Sequence, residues 1–335
     1  MSSYYKIENF KDFLAQLMDN DIVCAVIIPM KSLSEDNYSP FLIKDRELLA
    51  NCEPVSPVMT INSAKSVSAL TIKGALNFKT AVVLKPCELR AFRELIKLNQ
   101  INNDNIITIS FNCNGINNLK DREIKREICE ICTDFTPDFA DIKLYFQKNG
   151  HCIVDTDIDI TGLKLETSDF DKEKWVENIV KEKERAIQKR EEKLSEIKGN
   201  FKDLLKNCIS CHNCMRVCPI CFCQECFFDS PAVKGNVTTY LMRANRLTGL
   251  EFPENKLLFQ LGRMNHMSVS CVSCGACEDA CPAEIPVSQM FAAAGDELKK
   301  LFNYEPGKNL EDKVPFTCFE HDELHSFEEQ YVKKL

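Results

Sequence analysis

Glycine and long apolar stretches are both scarce in this sequence. Only 11 of the 335 residues are glycine, and none precedes Gly74. A backbone that approaches a phosphate group closely usually needs glycine, so the N-terminal part offers no glycine-rich phosphate-binding loop. No stretch approaches the roughly 20 consecutive apolar residues that cross a bilayer, which predicts a protein without a membrane span.

The N-terminus and the charge balance argue against further classes of protein. The opening residues Met-Ser-Ser-Tyr-Tyr-Lys lack a basic segment followed by an apolar one, so we expect no secretory signal and a cytoplasmic location. The formal net charge of −8 gives no reason to expect nucleic acid or an anionic membrane as a partner. No acid–base pair or nucleophile constellation is visible, so catalysis would belong to a bound cofactor.

Cysteine, by contrast, is abundant. The chain has 19 cysteines, which in the absence of an export signal indicates metal ligation in a reducing compartment. Residues 208–219 and 271–282 each read C-x2-C-x2-C-x3-C-P, the spacing of a bacterial-type 4Fe-4S ligand set. A structural zinc site is the alternative, but zinc ribbons use two C-x-x-C knuckles with four thiolates in all.

The fourth cysteine of each such run leads away from its loop and binds the other cluster. The spacing therefore predicts two 4Fe-4S clusters with crossed ligands. The first is expected on Cys208, Cys211, Cys214 and Cys281, and the second on Cys271, Cys274, Cys277 and Cys218.

Strands and helices alternate in the first part of the chain. Continuous apolar runs at 22–28, 80–85 and 105–111 predict buried strands, and helical spacing is found at 7–19 and 63–76. Cys87 follows the second of these strands and Cys113 follows the third. If the two strands are parallel neighbours, both cysteines lie at the same edge of the sheet.

A C-x-x-C pair follows shortly after these strands. Cys129 and Cys132, together with Cys87 and Cys113, make a candidate third site with four thiolates. The alternative is two cysteines that only pack in the core and an unrelated zinc-binding or free-thiol pair.

The predicted fold is an α/β N-terminal domain with a small, mostly parallel sheet, followed by a mostly helical, dicluster ferredoxin-like domain. The insertion between the two cysteine runs is far longer than in a small two-cluster ferredoxin, and helices are predicted at 236–246, 255–267 and 286–304. The expected divisions are 1–168 for the α/β domain, 169–206 for a charged helical connector, 207–306 for the cluster domain and 307–335 for the tail.

Three surplus cysteines follow the first run directly. Cys221, Cys223 and Cys226 could hold a further cluster, close a redox-active pair or tune a neighbouring cluster, and we expect the further cluster. His212 lies inside the first run, where an exposed loop histidine is expected and a hydrogen bond to a cluster sulfur is the alternative.

Several stretches resemble the β subunits of deazaflavin-dependent hydrogenases and formate dehydrogenases. They are L-K-P-C-E-L-R-A-F-R with the following S-F-N-C-N-G, then C-E-I-C-T-D-F-T-P-D-F-A-D-I, and C-P-I-C-F-C-Q-E-C with the second cysteine run. The C-terminal part is similar to the formate dehydrogenase β subunit in particular. The resemblance implies that Cys87, Cys113, Cys129 and Cys132 hold a 4Fe-4S cluster near a flavin.

At two positions where this family has glycine-rich stretches, the sequence has none. No glycine-rich stretch lies near the N-terminus, and Ala140-Asp141 runs into I-K-L-Y-F-Q-K-N without glycine. A deazaflavin pocket is therefore not expected. If FAD binds, the candidate contacts are Lys65, Ser66, Ser68 and Lys73, for which a solvated helix face is the alternative.

The expected function is that of an iron–sulfur electron-transfer subunit in a cytoplasmic oxidoreductase complex. Such a subunit would relay single electrons between a flavin, its own or a partner's, and a subunit of the formate dehydrogenase, hydrogenase or heterodisulfide reductase type. One alternative is an FAD-dependent oxidoreductase that itself acts on a deazaflavin or a nicotinamide. Another is a zinc-stabilised binding protein.

Overall fold

One sheet of eight strands forms the centre of the N-terminal half. The computed structural model describes residues 4–32, 37–147, 151–230, 237–247 and 255–318. The predicted helix start at Asn236 and residues 319–335 of the predicted tail lie outside these ranges. The strands are β1 (Tyr5–Ile7), β2 (Ala25–Lys31), β3 (Tyr38–Ile43), β4 (Thr80–Leu84), β5 (Ile106–Phe111), β6 (Ile142–Phe146), β7 (Cys152–Thr156) and β8 (Glu166–Thr167).

The sheet is mixed, which corrects the expectation of a small, mostly parallel sheet. Its order is β3-β2-β4-β5-β6-β7-β1-β8, and only the three pairings among β2, β4, β5 and β6 are parallel within the described residues. The short connections after β2 and β6 return the chain beside the strand it has just left, and such neighbours are antiparallel. β1 and β8 extend the sheet beyond β7 by further antiparallel pairing.

The described helices belong to the N-terminal half, to the connector or to the cysteine-rich part, which is the predicted cluster domain at 207–306. They are α1 (Phe10–Asp19), α2 (Ser63–Thr71), α3 (Pro86–Lys97), α4 (Glu127–Glu130), α5 (Lys172–Lys198), α6 (Phe201–Leu204), α7 (Asn213–Arg216), α8 (Val237–Leu247), α9 (Asn255–Met267), α10 (Ala276–Asp279) and α11 (Val287–Phe302). The predicted helix at 255–267 is confirmed at the same bounds. None of the described helices combines the length and the apolarity that a membrane crossing requires.

Both faces of the central strands are buried, as their continuous apolar sequences predicted. Successive side chains of a strand point to opposite faces, so Val26 and Ile28 of β2 pack with α1 while Ile27 packs with α2 and α3. The second face also takes up Ile220 and Val272 from the cysteine-rich part. The sheet and the cysteine-rich part therefore share one apolar cluster.

Local sequence fixes the start of α3 at the end of β4. Pro86 lies in the first turn, where a backbone N–H would have no helical partner. The Glu88 carboxylate accepts the backbone N–H of Lys85 at 3.0 Å and that of Ser63 at 2.8 Å, so it caps α3 and fixes the start of α2. Cys87 is thereby held in the first turn at the carboxyl edge of the sheet.

The helix α5 connects the sheet to the cysteine-rich part. Asp171 caps its start by accepting the backbone N–H of Lys174 at 3.0 Å. Val180 and Ile187 of this helix are exposed, whereas Leu194 is buried in a cluster with residues of α11. The apolar contact of α5 with the cysteine-rich part therefore lies in the C-terminal half of the helix.

We expect the substitution Gly307→Ala to destabilise the protein by about 1–3 kcal/mol, because a side chain is strained at this backbone conformation. Gly307 has a φ of +71°, and an added Cβ would lie 2.1 Å from the Arg90 carbonyl oxygen. Thermal unfolding followed by circular dichroism under anaerobic conditions measures the loss. Gly199→Ala is the control, since no atom lies within 4 Å of its added Cβ. Equal melting temperatures for the two variants would contradict the expectation.

Candidate iron–sulfur sites

The first predicted set of cysteines lines one cavity. Cys208, Cys211, Cys214 and Cys281 meet there with the apolar side chains of Phe259, Ile285 and Val287. Three of the thiols come from the first run and one from the second, in the crossed arrangement that the spacing predicted. Cys214 and Cys281 are buried. Binding of a cluster by this set stays a prediction.

The second predicted set lines a second cavity. Cys218, Cys271, Cys274 and Cys277 meet there, and the wall is completed mainly by apolar residues, among them Ile220, Val272 and Phe291. The other cysteine run supplies Cys218, again as predicted from the spacing.

The two cysteine loops share one backbone conformation. Ser210 and His212 of the first loop have φ values of 53° and 62°, and Ser273 and Gly275 at the corresponding positions of the second have values of 55° and 78°. Left-handed residues of this kind turn successive N–H groups toward one side, where they can face an anion. Backbone N–H groups also approach the Cys271 and Cys274 sulfurs from Ser273 and Ala276.

The third predicted set lines a cavity of about 280 Å³ at the carboxyl edge of β4 and β5. Cys87 lies in the first turn of α3, and Cys113 follows the parallel neighbour β5, so sheet pairing brings them together. Cys129 of α4 and Cys132, just after that helix, complete the lining. The backbone N–H of Gly115 donates to the Cys113 sulfur at 3.3 Å.

The second and third cavities are neighbours. Ser273 and Cys274 line both of them. Arg126 lies at this boundary, fully buried, where it donates to the Cys274 carbonyl oxygen at 2.6 Å and pairs with Asp279. One cysteine of the second set is therefore also a wall of the third.

Cationic side chains of the N-terminal part hold the cysteine loops by their backbone carbonyls. Lys65 donates to the Cys218 carbonyl at 3.0 Å, Lys120 to that of Cys281 at 2.9 Å and Arg90 to that of Val272 at 2.7 Å. Sequence reasoning missed these contacts, because a single lysine or arginine on a helix or loop carries no local signal for a distant carbonyl.

The thiols of these cavities fit a 4Fe-4S cluster in number, burial and chemistry. Burial raises the pKa of Cys274 to about 12 and that of Cys132 to about 11, and it raises the pKa values of Cys87 and Cys277 well above the ordinary range. Without metal these groups are neutral thiols, whereas metal coordination removes their protons and supplies positive charge in exchange. Over the described ranges no three His, Cys, Asp or Glu side chains are placed to hold a single metal ion.

The surplus cysteines line a fourth and larger cavity. Cys221, Cys223 and Cys226 surround about 600 Å³ together with Lys65, Arg263 and other residues. A hydrogen bond between the Cys221 and Cys218 thiols raises the pKa of Cys221 and lowers that of Cys218. The fourth cavity therefore adjoins the second set of cysteines.

The candidate FAD contacts do not gather at any cavity described above. Lys65 is engaged with the carbonyls of Arg216 and Cys218, and the Ser68 hydroxyl donates to the Gln100 carbonyl at 2.9 Å. Ser66 is partly buried and Lys73 is exposed. An FAD site on these four residues stays a prediction without support from their placement.

His212 is not an exposed loop residue, which corrects that expectation. Its ring is buried, stacks on Phe259 at a centroid distance of 4.0 Å and lies 2.8 Å from the Asp229 carboxylate through Nδ1. The burial arises from α9, which covers the first loop and could not be placed from the sequence.

The helix α9 also supplies two polar side chains to the first set of cysteines. Arg263 Nη1 lies 3.0 Å and Gln260 Nε2 3.8 Å from the Cys214 sulfur. Both residues were missed, since their positions in an amphipathic helix look like those of ordinary polar residues.

A comparison with known protein families concerns the cysteine-rich part. Residues 204–285 match the family described as the 4Fe-4S dicluster domain, which spans both cysteine loops and α9. The sheet with its cysteine cavities and this match define an iron–sulfur protein of the dicluster class.

The whole chain is similar to named relatives. The F420-dependent formate dehydrogenase subunit beta of Methanocaldococcus jannaschii is 30% identical over 87% of this chain and 89% of the relative. The F420-dependent formate dehydrogenase 1 subunit beta of Methanococcus maripaludis is 25% identical over 89% of each chain. The chain therefore belongs to the family of F420-dependent formate dehydrogenase β subunits.

A search of solved structures found a similar chain in the F420-reducing [NiFe] hydrogenase complex from Methanosarcina barkeri. The TM-score is 0.42 and the sequence identity 12%, with 58% of this chain and 91% of the other covered.

We expect Cys281→Ala to deplete the first cluster and to leave the second comparatively intact, because the first is the only one of the four cavities that Cys281 lines. Electron paramagnetic resonance of the anaerobically purified, reduced protein distinguishes the two clusters. Cys24→Ala serves as the control, since Cys24 is exposed and lines none of the four cavities. Loss of the second cluster with retention of the first would reverse the ligand assignment.

Proposed function

We propose that this protein is an electron-transfer subunit that relays single electrons through three 4Fe-4S clusters within an oxidoreductase complex. The observation that carries the proposal is the row of three cavities, each lined by four cysteines. When bound, such clusters supply one-electron transfer at potentials that the surrounding protein sets.

The order of the relay follows from shared walls. The third and second cavities share Ser273 and Cys274, and the second and first are linked because each takes one cysteine from the other's run. An electron that enters at the sheet edge would pass from the third site to the second and then to the first. Because transfer slows steeply with distance, adjoining sites favour a relay over independent structural clusters.

The role of the chain's own residues is to hold and shield these sites. Apolar side chains such as Phe291 and Ile285 keep water from two of the cavities. The cations Lys65, Arg126 and Lys120 fix the loops by their carbonyl groups. Rigid loops limit the structural change that accompanies each change of cluster charge.

The names of the relatives support a partner of one kind. Two of them are β subunits of F420-dependent formate dehydrogenases, so we propose a formate dehydrogenase catalytic subunit as the partner of this chain. Partners of the hydrogenase or heterodisulfide reductase type and a cytoplasmic location remain predictions.

The second candidate function is that of a flavin enzyme which itself acts on a deazaflavin. The F420 dependence in the names of the relatives favours it, whereas the scarcity of glycine and the internal hydrogen bonds of Lys65 and Ser68 count against it. Mass spectrometry of cofactors released from the anaerobically purified complex tests it. Flavin in stoichiometric amount would favour this function, and its absence would leave the relay without a flavin of its own.

We expect the anaerobically purified chain to contain about twelve iron atoms and as many sulfides, four for each predicted cluster. Iron and sulfide analysis measures both, and fewer than about eight irons per chain would contradict the relay. About sixteen irons would instead support the further cluster predicted for Cys221, Cys223 and Cys226.

The third site has a separate test. Cys132→Ala should lower the iron content by about four atoms and preserve the spectrum of the other two clusters. Cys152→Ala is the matched control, since Cys152 is a buried cysteine of β7 that lines none of the four cavities. An unchanged iron content in the Cys132 variant would remove the third cluster from the proposal.

A further inference from the structure

Arg263 is a buried arginine in the insertion between the two cysteine runs. Its side chain is 3% exposed. It lies one helical turn after Gln260 on α9, so both side chains project from the same face of the helix. That face covers the first set of cysteines, which gives the insertion a specific role beside the clusters.

The contacts of Arg263 connect it to both sets of cysteines in the dicluster region. Its guanidinium donates to the Cys214 sulfur at 3.0 Å and to the Cys214 carbonyl at 3.2 Å. It also donates to Gln260 Oε1 at 3.2 Å and lies 4.8 Å from the centre of the Phe291 ring. The same side chain lines the cavity of the second set.

No carboxylate compensates this charge within the described part of the chain. The other buried arginines each have one, since Arg90 pairs with Asp134, Arg126 with Asp279 and Arg190 with Asp296. Arg263 has neutral groups and cysteine sulfur as neighbours instead. An uncompensated buried charge is costly, so its natural counterion is the negative charge of a cluster with thiolate ligands.

We propose that Arg263 is a positioning residue that raises the reduction potentials of both dicluster clusters, and that of the first cluster more. The inference rests on the proposed function. Reduction adds one negative charge to a cluster, so a fixed positive charge and a hydrogen bond to a ligand sulfur both favour the reduced form. The effect is larger at the first cluster because Arg263 donates directly to the sulfur of Cys214, a cysteine of the first set. The other described thiol that it hydrogen-bonds, Cys221, belongs to neither set. The charge therefore biases a relayed electron toward the first cluster.

Two substitutions cancel the uncompensated charge in different ways, one by deleting it and the other by placing a carboxylate beside it. Arg263→Gln keeps a hydrogen-bond donor and deletes the charge. Gln260→Glu keeps the arginine and places a carboxylate where Arg263 now contacts Gln260 Oε1, which compensates the charge with little change of shape. Arg263→Lys retains the charge. Arg246→Gln on α8 is the matched control, since it deletes an exposed arginine.

Redox titration of the full-length protein, followed by electron paramagnetic resonance, measures both potentials. Arg263→Gln and Gln260→Glu are expected to shift the first cluster to lower potential and the second by a smaller amount. Arg263→Lys and Arg246→Gln should remain close to the unsubstituted protein. If Arg263→Gln assembles no first cluster, the potential of the second cluster in the same variant decides the question, because Arg263 also lines the cavity of the second set.

Two failures of this experiment are distinguishable. Absence of the two clusters from the unsubstituted protein would overturn the proposed function itself. Two clusters with unchanged potentials in Arg263→Gln, or an unchanged second cluster where the first does not assemble, would overturn the role of Arg263 alone. A larger shift at the second cluster would also contradict the inference, because the direct hydrogen bond lies at the first.

Discussion

The contact between the sheet and the cysteine loops depends on cations of the N-terminal part that donate to backbone carbonyls. A loop that arranges its N–H groups around a buried cluster leaves carbonyl groups on its outer side, and these need donors. Arg126 donates a hydrogen bond to the Cys274 carbonyl, and Lys120 donates one to the Cys281 carbonyl. Arg126 also pairs with Asp279, so its charge is compensated and its position is fixed. The same contact that holds the second loop thus separates the second site from the third.

Sequence patterns predicted the central strands of the fold but not the shape of the whole sheet. β4 and β5 have continuous β-branched and apolar sequences between clear turn signals, and Cys87 and Cys113, which follow their ends, line one cavity. The antiparallel half of the sheet depends on hairpin returns and on strands as short as Glu166–Thr167, which carry almost no periodicity. Their pairing is decided by tertiary contacts, so a mostly parallel sheet was the natural but wrong prediction.

Some features of the candidate sites likewise depend on local sequence, and others depend on tertiary packing. Cysteine spacing is a local property, and it was sufficient to group the eight dicluster cysteines around two cavities. The burial of His212 and the contact of Arg263 with Cys214 depend on where α9 packs. Nothing in the sequence of a single amphipathic helix says which distant loop it covers. The electrostatic surroundings of the cavities were therefore less predictable than the cysteines that line them.

The third site is lined by residues from three of the predicted divisions of the chain. Its cavity is lined by Cys87 and Cys113 from the sheet edge, by Glu182 and Ala186 from α5, and by Cys274 from the second cysteine run. A chain cut before α5 would lose two of these three walls and expose its thiols to water. Val82 of the sheet and Val272 of the second loop likewise belong to one apolar cluster. Because the sheet, the connector and the cysteine loops complete each other's cavities, we expect cluster binding to be coupled to folding of the N-terminal part.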